Sequence, residues 1–185
     1  MRITAFLLFL LGIFYFSSCA SIARDRRLHA YLTDNSRFIL LAPEGIENSM
    51  DMAQYISASY GGREYLLNAW VMADETAMEI ILLNEMGANM GELTYRDGDV
   101  NFSSSIFPMS VRPEYIVADF QLCFYNPLLL SQALKDCGLT LELQGSTRRI
   151  LRGRDLIIEI EKSENTVRLV NHLRRYAYTI EGYFL

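Results

Sequence analysis

Histidine, cysteine and tryptophan are scarce in this chain of 185 residues: two, three and one of each. His29 and His172 lie far apart in sequence. No closely spaced set of His, Cys and carboxylate ligands appears, so no metal is expected. Positive charge is also short, with 17 Lys and Arg against 22 Asp and Glu and a net charge of −5. A mildly acidic chain lacks the concentrated basic face that nucleic acid requires, so no nucleic-acid partner is expected. Gly-x-Ser-x-Gly is missing, as is a phosphate-cradling glycine loop. Cys123 and His172 are a formal Cys/His pair, but Cys123 sits on an apolar helix pattern with no activating charge. No catalytic residue is assigned, no cofactor is expected, and the chain is read as a non-enzyme. The longest uninterrupted apolar run, Ala5 to Phe16, falls short of the roughly 20 residues that cross a bilayer as a helix.

That short run has a specific setting. Arg2 precedes it, and the small residues Ser17, Ser18, Cys19 and Ala20 follow. Charge, apolar run and small residues in this order describe an export signal. Phe16-Ser17-Ser18-Cys19 resembles the bacterial lipobox, in which the cysteine becomes the acylated first residue, although Phe16 stands where Leu is usual. The alternative is a plain signal peptide cut near Ala20 or Ala23. The lipobox resemblance implies diacylglycerol and acyl chains such as palmitate on Cys19. With Ala20 rather than Asp after it, the resemblance implies the periplasmic side of the outer membrane. Arg24, Arg26 and Arg27 then form either a second membrane-holding signal or a solvated linker. The expected organisation is a signal peptide over 1–18, a lipid-anchored linker over 19–36 and one β domain over 37–185.

The body is 51% hydrophobic and 12% aromatic for the whole chain, and no Gly/Ser or Pro linker divides it. Its dominant period is two. Ile56 to Tyr60, Tyr65 to Met72, Thr76 to Leu83, the alternation around Leu93 and Tyr95, and that of Val100 and Phe102 predict a five-strand antiparallel meander over Gln54 to Ser103. Its turns fall at Gly61-Gly62 and Asp97-Gly98. Two helices follow. "PEYIVADFQLCF" opens on Pro113 and places Ile116, Val117, Phe120 and Cys123 at helical spacing. "NPLLLSQALKDCG" opens on Asn126-Pro127, closes at Gly138, and spaces Leu128, Leu129, Ala133 and Leu134 for one face. Five short strands return between Leu139 and Ile180. The expected fold is mainly β (α+β): a curved antiparallel sheet of about ten strands forming an unclosed barrel, with two helices against its concave face as lid or plug.

"VADFQLCFYNPLLL", "RRILRGRDLIIEIE" and "VRLVNHLRRYAYTIEGYFL" resemble a family of bacterial outer-membrane lipoproteins related to the LolA and LolB lipoprotein carriers. Asp119, Gln121, Leu122, Phe124, Tyr125, Pro127, Arg149, Asn171, Gly182 and Tyr183 occupy its motif positions. Asn126 replaces a frequent Trp. The resemblance implies a LolA/LolB-like barrel whose helices lid an apolar cavity for acyl chains. It implies lipid or lipoprotein cargo, and envelope transport proteins as candidate partners. Some members are encoded with synthase genes for aryl polyene lipids, which implies lipid binding or lipid transport.

Candidate cavity residues are Ile56, Leu66, Trp70, Met78, Ile80, Leu82, Leu93, Tyr95, Val100, Phe102, Ile158 and Ile160. The competing reading of these residues is a filled core, which would make the protein an accessory scaffold for other envelope proteins. Asp119 is expected to pair within the fold, with Arg149 as candidate partner, or else to meet a ligand head group. Gln121, Asn171 and Tyr183 complete the structural motif. Met86 and Met90, in the turn Asn84 to Gly91, are either a membrane-contact tip or ordinary exposed residues. Cys123 and Cys137 are candidates for a disulfide between the helices.

The lipobox makes a direct prediction. Metabolic labelling with a fatty acid should mark the chain, and Cys19→Ser should abolish the label. Label retained by the Ser variant would place the tether elsewhere.

Overall fold

The computed structural model describes residues 27–108 and 110–183. Cys19, the export segment and the arginines at 24 and 26 lie outside the described residues. β1 (His29–Tyr31) and β2 (Arg37–Ile39) form a small hairpin. The period-two sequence then folds as the expected meander: β3 (Met50–Tyr60), β4 (Arg63–Ala73), β5 (Ala77–Leu83), β6 (Asn89–Arg96) and β7 (Asp99–Ser104). Helices α1 (Pro113–Phe124) and α2 (Pro127–Asp136) interrupt it, and β8 (Thr140–Gln144), β9 (Thr147–Arg152), β10 (Asp155–Lys162), β11 (Thr166–Asn171) and β12 (Tyr176–Tyr183) complete the chain.

The ten strands β3 to β12 make one antiparallel sheet in the order β7-β6-β5-β4-β3-β12-β11-β10-β9-β8. Two consecutive meanders are thus joined along β3 and β12, with Ile56 opposite Ile180. β7 and β8 are the two edges and do not pair with each other, so the sheet is not a closed barrel. Gly61 and Gly62 both have positive φ (59° and 76°), as a tight two-residue hairpin turn demands. Their turn sets the register of the longest pair: Tyr60 opposes Arg63 and Ile56 opposes Leu67.

Both helices begin where the prolines place them. The Asn126 side chain caps α2 by accepting the Leu128 N–H at 2.9 Å, and Gly138 ends it at φ 78°. The buried face of α2 differs from the expected one. Leu130 and Leu134 are fully buried, while Leu128 is 81% exposed. The folded unit also starts earlier than expected. Ala30 and Leu32 are buried, so residues 29–36, read as linker, supply β1 and the turn of the β1–β2 hairpin, and β1 packs on α1.

The expected pairing of Asp119 with Arg149 does not form. Arg149 lies on the outer face and donates to Glu159 at 2.8 Å and to Gln144 at 3.3 Å. Its neighbour Arg148 shares the inner face with Ile150 and is buried. Arg148 donates to the carbonyls of Leu122 (3.0 Å) and Tyr125 (2.9 Å) at the end of α1, and to Glu47 at 2.9 Å. Helix C-termini leave carbonyls without intrahelical partners, and one guanidinium here satisfies two of them.

A strap over residues 40–47 closes on the same corner. Gln121, fully buried, takes the Leu41 N–H on Oε1 (3.0 Å) and donates Nε2 to the Leu41 carbonyl (2.7 Å), where the Tyr95 hydroxyl also donates at 2.9 Å. At Gly45 an added Cβ would lie 2.6 Å from the Tyr125 ring, so glycine alone fits there.

Truncating Arg148 strands two buried carbonyls and Glu47. Arg148→Ala should therefore lower stability by about 3–5 kcal/mol, whereas Arg149→Ala on the surface should cost no more than about 1 kcal/mol. Urea denaturation of the two variants measures both. Equal losses would mean that the corner does not depend on Arg148.

Candidate functional site

Inward-facing residues follow from the register. On β3 they are Met52, Gln54, Ile56 and Ala58; on β4, Tyr65, Leu67, Ala69 and Val71; on β12, Tyr176, Tyr178 and Ile180. This face divides in two. Under β9 to β11 it is sealed: Ile150, Ile158, Ile160 and Leu169 are at most 1% exposed. Under β3 to β7 and β12 the first helix stands off, leaving a cleft of about 870 Å³. Ile56, Leu67, Val71, Ile80, Leu82, Leu93 and Phe102 floor it. Ile116, Phe120 and Phe124 of α1 roof it, and Phe107 and Val111 close one side. The volume falls within the roughly 300–1,000 Å³ range of small-molecule sites.

Of the expected cavity residues, Ile56, Ile80, Leu82, Leu93 and Phe102 line the cleft. The others do not. Leu66 and Trp70 occupy outer-face positions of β4, Leu66 being 63% exposed and Trp70 donating to Asp51 at 2.7 Å. Met78, Tyr95, Ile158 and Ile160 point inward but are sealed in the core, and Val100 packs against that core. The cleft-facing residues of α1 lie at Tyr115, Ile116, Asp119, Phe120 and Phe124, and no sequence signal separated that face from the core-facing Val117, Gln121 and Leu122.

The charged side chains lining the cleft are Arg112, Asp119 and Arg174. Asp119 accepts the Tyr176 hydroxyl at 2.7 and 2.9 Å. Burial pushes its carboxyl up to about 7, opposed by the Tyr176 hydrogen bond and by the charge of Arg174. Burial and the same carboxylate push Tyr176 and Tyr178 above the ordinary phenol range. Asn171, buried, accepts the Arg174 N–H at 2.8 Å and so fixes the turn that carries this arginine. The backbone of Tyr183, the last expected motif residue, pairs with Ala53 at the far end of β12.

Cys123 and Cys137 are free thiols, and the candidate disulfide between them does not form. Cys123 is buried beside the Tyr178 hydroxyl at 3.9 Å and is pushed up to about 12 by burial, which suppresses the nucleophilic thiolate. Cys137 donates to the Leu134 carbonyl at 3.2 Å. Among the described residues no group of three or more His, Cys, Asp or Glu is placed to hold a metal ion, and no helix is long and apolar enough to cross a membrane.

In an antiparallel meander alternate turns share one end. The β3–β4 turn at 61–62, the β5–β6 turn at 84–88, the β9–β10 turn at 153–154 and the β11–β12 turn at 172–175 therefore form one rim. The cleft reaches this rim at Ala58, Ser59 and Arg174. Tyr65, Leu66, Leu173 and Met86 are exposed along it, Met86 at 89%. Asn84 shapes the Met86 turn by accepting the N–H groups of Met86 and Ala88, each at 2.9 Å. Met90 is not at the tip: it is partly buried, and its carbonyl binds Ser105.

The carboxyl of Asp119 gives a pH test. Its folded value lies above its unfolded one, so the folded chain holds an extra proton between about pH 4 and pH 7. Stability from this group is complete below that window and falls as pH rises through it. Asp119→Asn keeps an acceptor for Tyr176 and has no charge to bury. Thermal melts should show the variant matching the parent near pH 4 and exceeding it at pH 8 by on the order of 4 kcal/mol. A variant less stable at both pH values would mean that the charged carboxylate is a net stabiliser.

A comparison with curated proteins gave no match. The profile of one family covers residues 51–182, from the start of β3 to the end of β12 and therefore both helices and the whole cleft floor. The chain belongs to that family, described as "Protein of unknown function (DUF3261)".

Proposed function

We propose that this protein binds the acyl chain of a lipid or acylated cargo in the cleft between α1 and the sheet, as a LolA/LolB-like carrier tethered through Cys19 to the periplasmic side of the outer membrane. The observation that carries the reading is the cleft itself: about 870 Å³, walled by aliphatic and aromatic side chains, in a protein small enough to have filled it. Close packing is the rule in protein interiors, and an apolar space of this size forfeits dispersion contacts that nearby side chains could have made. An apolar ligand restores those contacts and removes the lining from water.

The rim supports transfer. The cleft reaches the rim at Ala58, Ser59 and Arg174, and the same rim carries the exposed Met86 and Leu173, so an acyl chain would leave or enter beside apolar side chains able to touch a bilayer. The tether and the compartment rest on the sequence order around Cys19. The competing reading, a scaffold with a filled barrel, draws on the sealed half of the sheet under β9 to β11. The open half is what favours a carrier.

Lipids extracted from the purified full chain and identified by mass spectrometry should include a stoichiometric acyl species. Ala58→Phe, which places a ring into the cleft between Tyr65 and Tyr178, should reduce that occupancy severalfold with the melting temperature held or raised. No acyl species in either protein, together with a reproducible envelope protein in pull-downs, would favour the scaffold.

A further inference from the structure

The charge of the cleft is gathered at its mouth. Arg112 leads into α1 and Arg174 sits in the β11–β12 turn, yet both guanidinium groups lie over the ring of Tyr115, at 5.5 and 5.0 Å from its centre. Both side chains are exposed, and both line the cleft. A guanidinium carries five N–H donors in a fixed fork. Among the described residues Arg174 gives one of them to the Tyr31 carbonyl, and Arg112 makes an ion pair to Glu114 at 3.7 Å, too long for a hydrogen bond. Most of both forks is thus uncommitted and held in place by a shared aromatic ring.

The carboxyls near them offset this charge only in part, Glu114 pairing with Arg112 at 3.7 Å. Asp119 has its oxygens taken by Tyr176, and burial keeps it partly protonated near neutral pH. Glu114 belongs to the Arg112 side and leaves one oxygen buried without a hydrogen bond. An apolar trough ending in two clamped cations is the complement of one kind of molecule.

We propose that Arg112 and Arg174 recognise an anionic oxyacid head group, a carboxylate or a phosphate monoester, at the end of the acyl chain that the cleft holds. The proposal rests on the acyl-binding reading above and narrows it, because a bound neutral lipid would leave most donors of both forks to solvent. Bidentate guanidinium contacts suit the planar carboxylate and the phosphate alike.

The test uses the purified full chain and a neutral apolar dye, N-phenyl-1-naphthylamine, displaced by palmitate, hexadecyl phosphate or methyl palmitate. Both anions should compete at least about tenfold more strongly than the ester, the effect of one charge-assisted hydrogen bond. Arg112→Gln and Arg174→Gln should each erase most of that preference, read as the ratio of anion to ester competition. Asp119→Asn should keep or widen it. Palmitate against hexadecyl phosphate tells which oxyacid fits better. If the ester competes as well as the anions, the head-group site falls and the acyl cleft stands. If the dye enters but no acyl compound displaces it, or no dye binds, the acyl reading itself falls. Melting curves check the folding of each variant. Arg112, 54% exposed, decides the matter if the loss of the Tyr31 contact unfolds the Arg174 variant.

Discussion

One guanidinium holds the architecture together. Arg148 rises from the inner face of β9 into the corner where α1 stops and α2 starts, and it binds two carbonyls at the end of α1. Burial disfavours its charge, and Glu47 restores it from the strap that passes over the same corner. Lys162 approaches the same carboxylate at 3.6 Å and lies over the Phe124 ring. A buried cation is expensive without partners, so this cluster forms complete or not at all. Its completeness fixes the C-terminal end of α1 against the sheet.

The other end of α1 is held differently. Near its N-terminus the helix carries Tyr115 beneath Arg112 and Arg174, and it meets β12 through Asp119 on the Tyr176 hydroxyl. These are polar contacts, not interlocked aliphatic ones. At the far end Arg148 ties the helix to β9 and Gln121 ties it to the strap. The same helix therefore packs a dry core with Val117, Gln121 and Leu122 and roofs an open space with Ile116, Phe120 and Phe124.

Much of this was legible in residue order. Proline, the Asn126 cap and Gly138 marked both helices, and alternation marked ten of the twelve strands. The β1–β2 hairpin was missed because its strands are only three residues long and carry little periodicity. Some errors had an available remedy. A two-residue turn at Gly61-Gly62 forces Ile56 opposite Leu67, so choosing Ile56 as inward already excludes Leu66 and Trp70. The same parity argument puts Arg148 beside Ile150 on the inner face and Arg149 outside. A strand apolar on both faces hides its orientation until a turn supplies the register. The cleft had no such signal: its volume depends on how α1 packs over the sheet, which no local pattern encodes.

The open cleft is where a carboxyl is tolerated on α1. In a fully packed interior the site of Asp119 would favour an aliphatic residue, since burial opposes the charge and the fold gains one hydrogen bond from Tyr176. Here the tyrosine and the carboxyl act as a spacer. They occupy the gap between helix and sheet with groups that bind each other and not the apolar floor. The polar pair on an otherwise apolar roof lies where the inner face opens, while the sealed half under β9 to β11 carries aliphatic Ile150, Ile158, Ile160 and Leu169 instead.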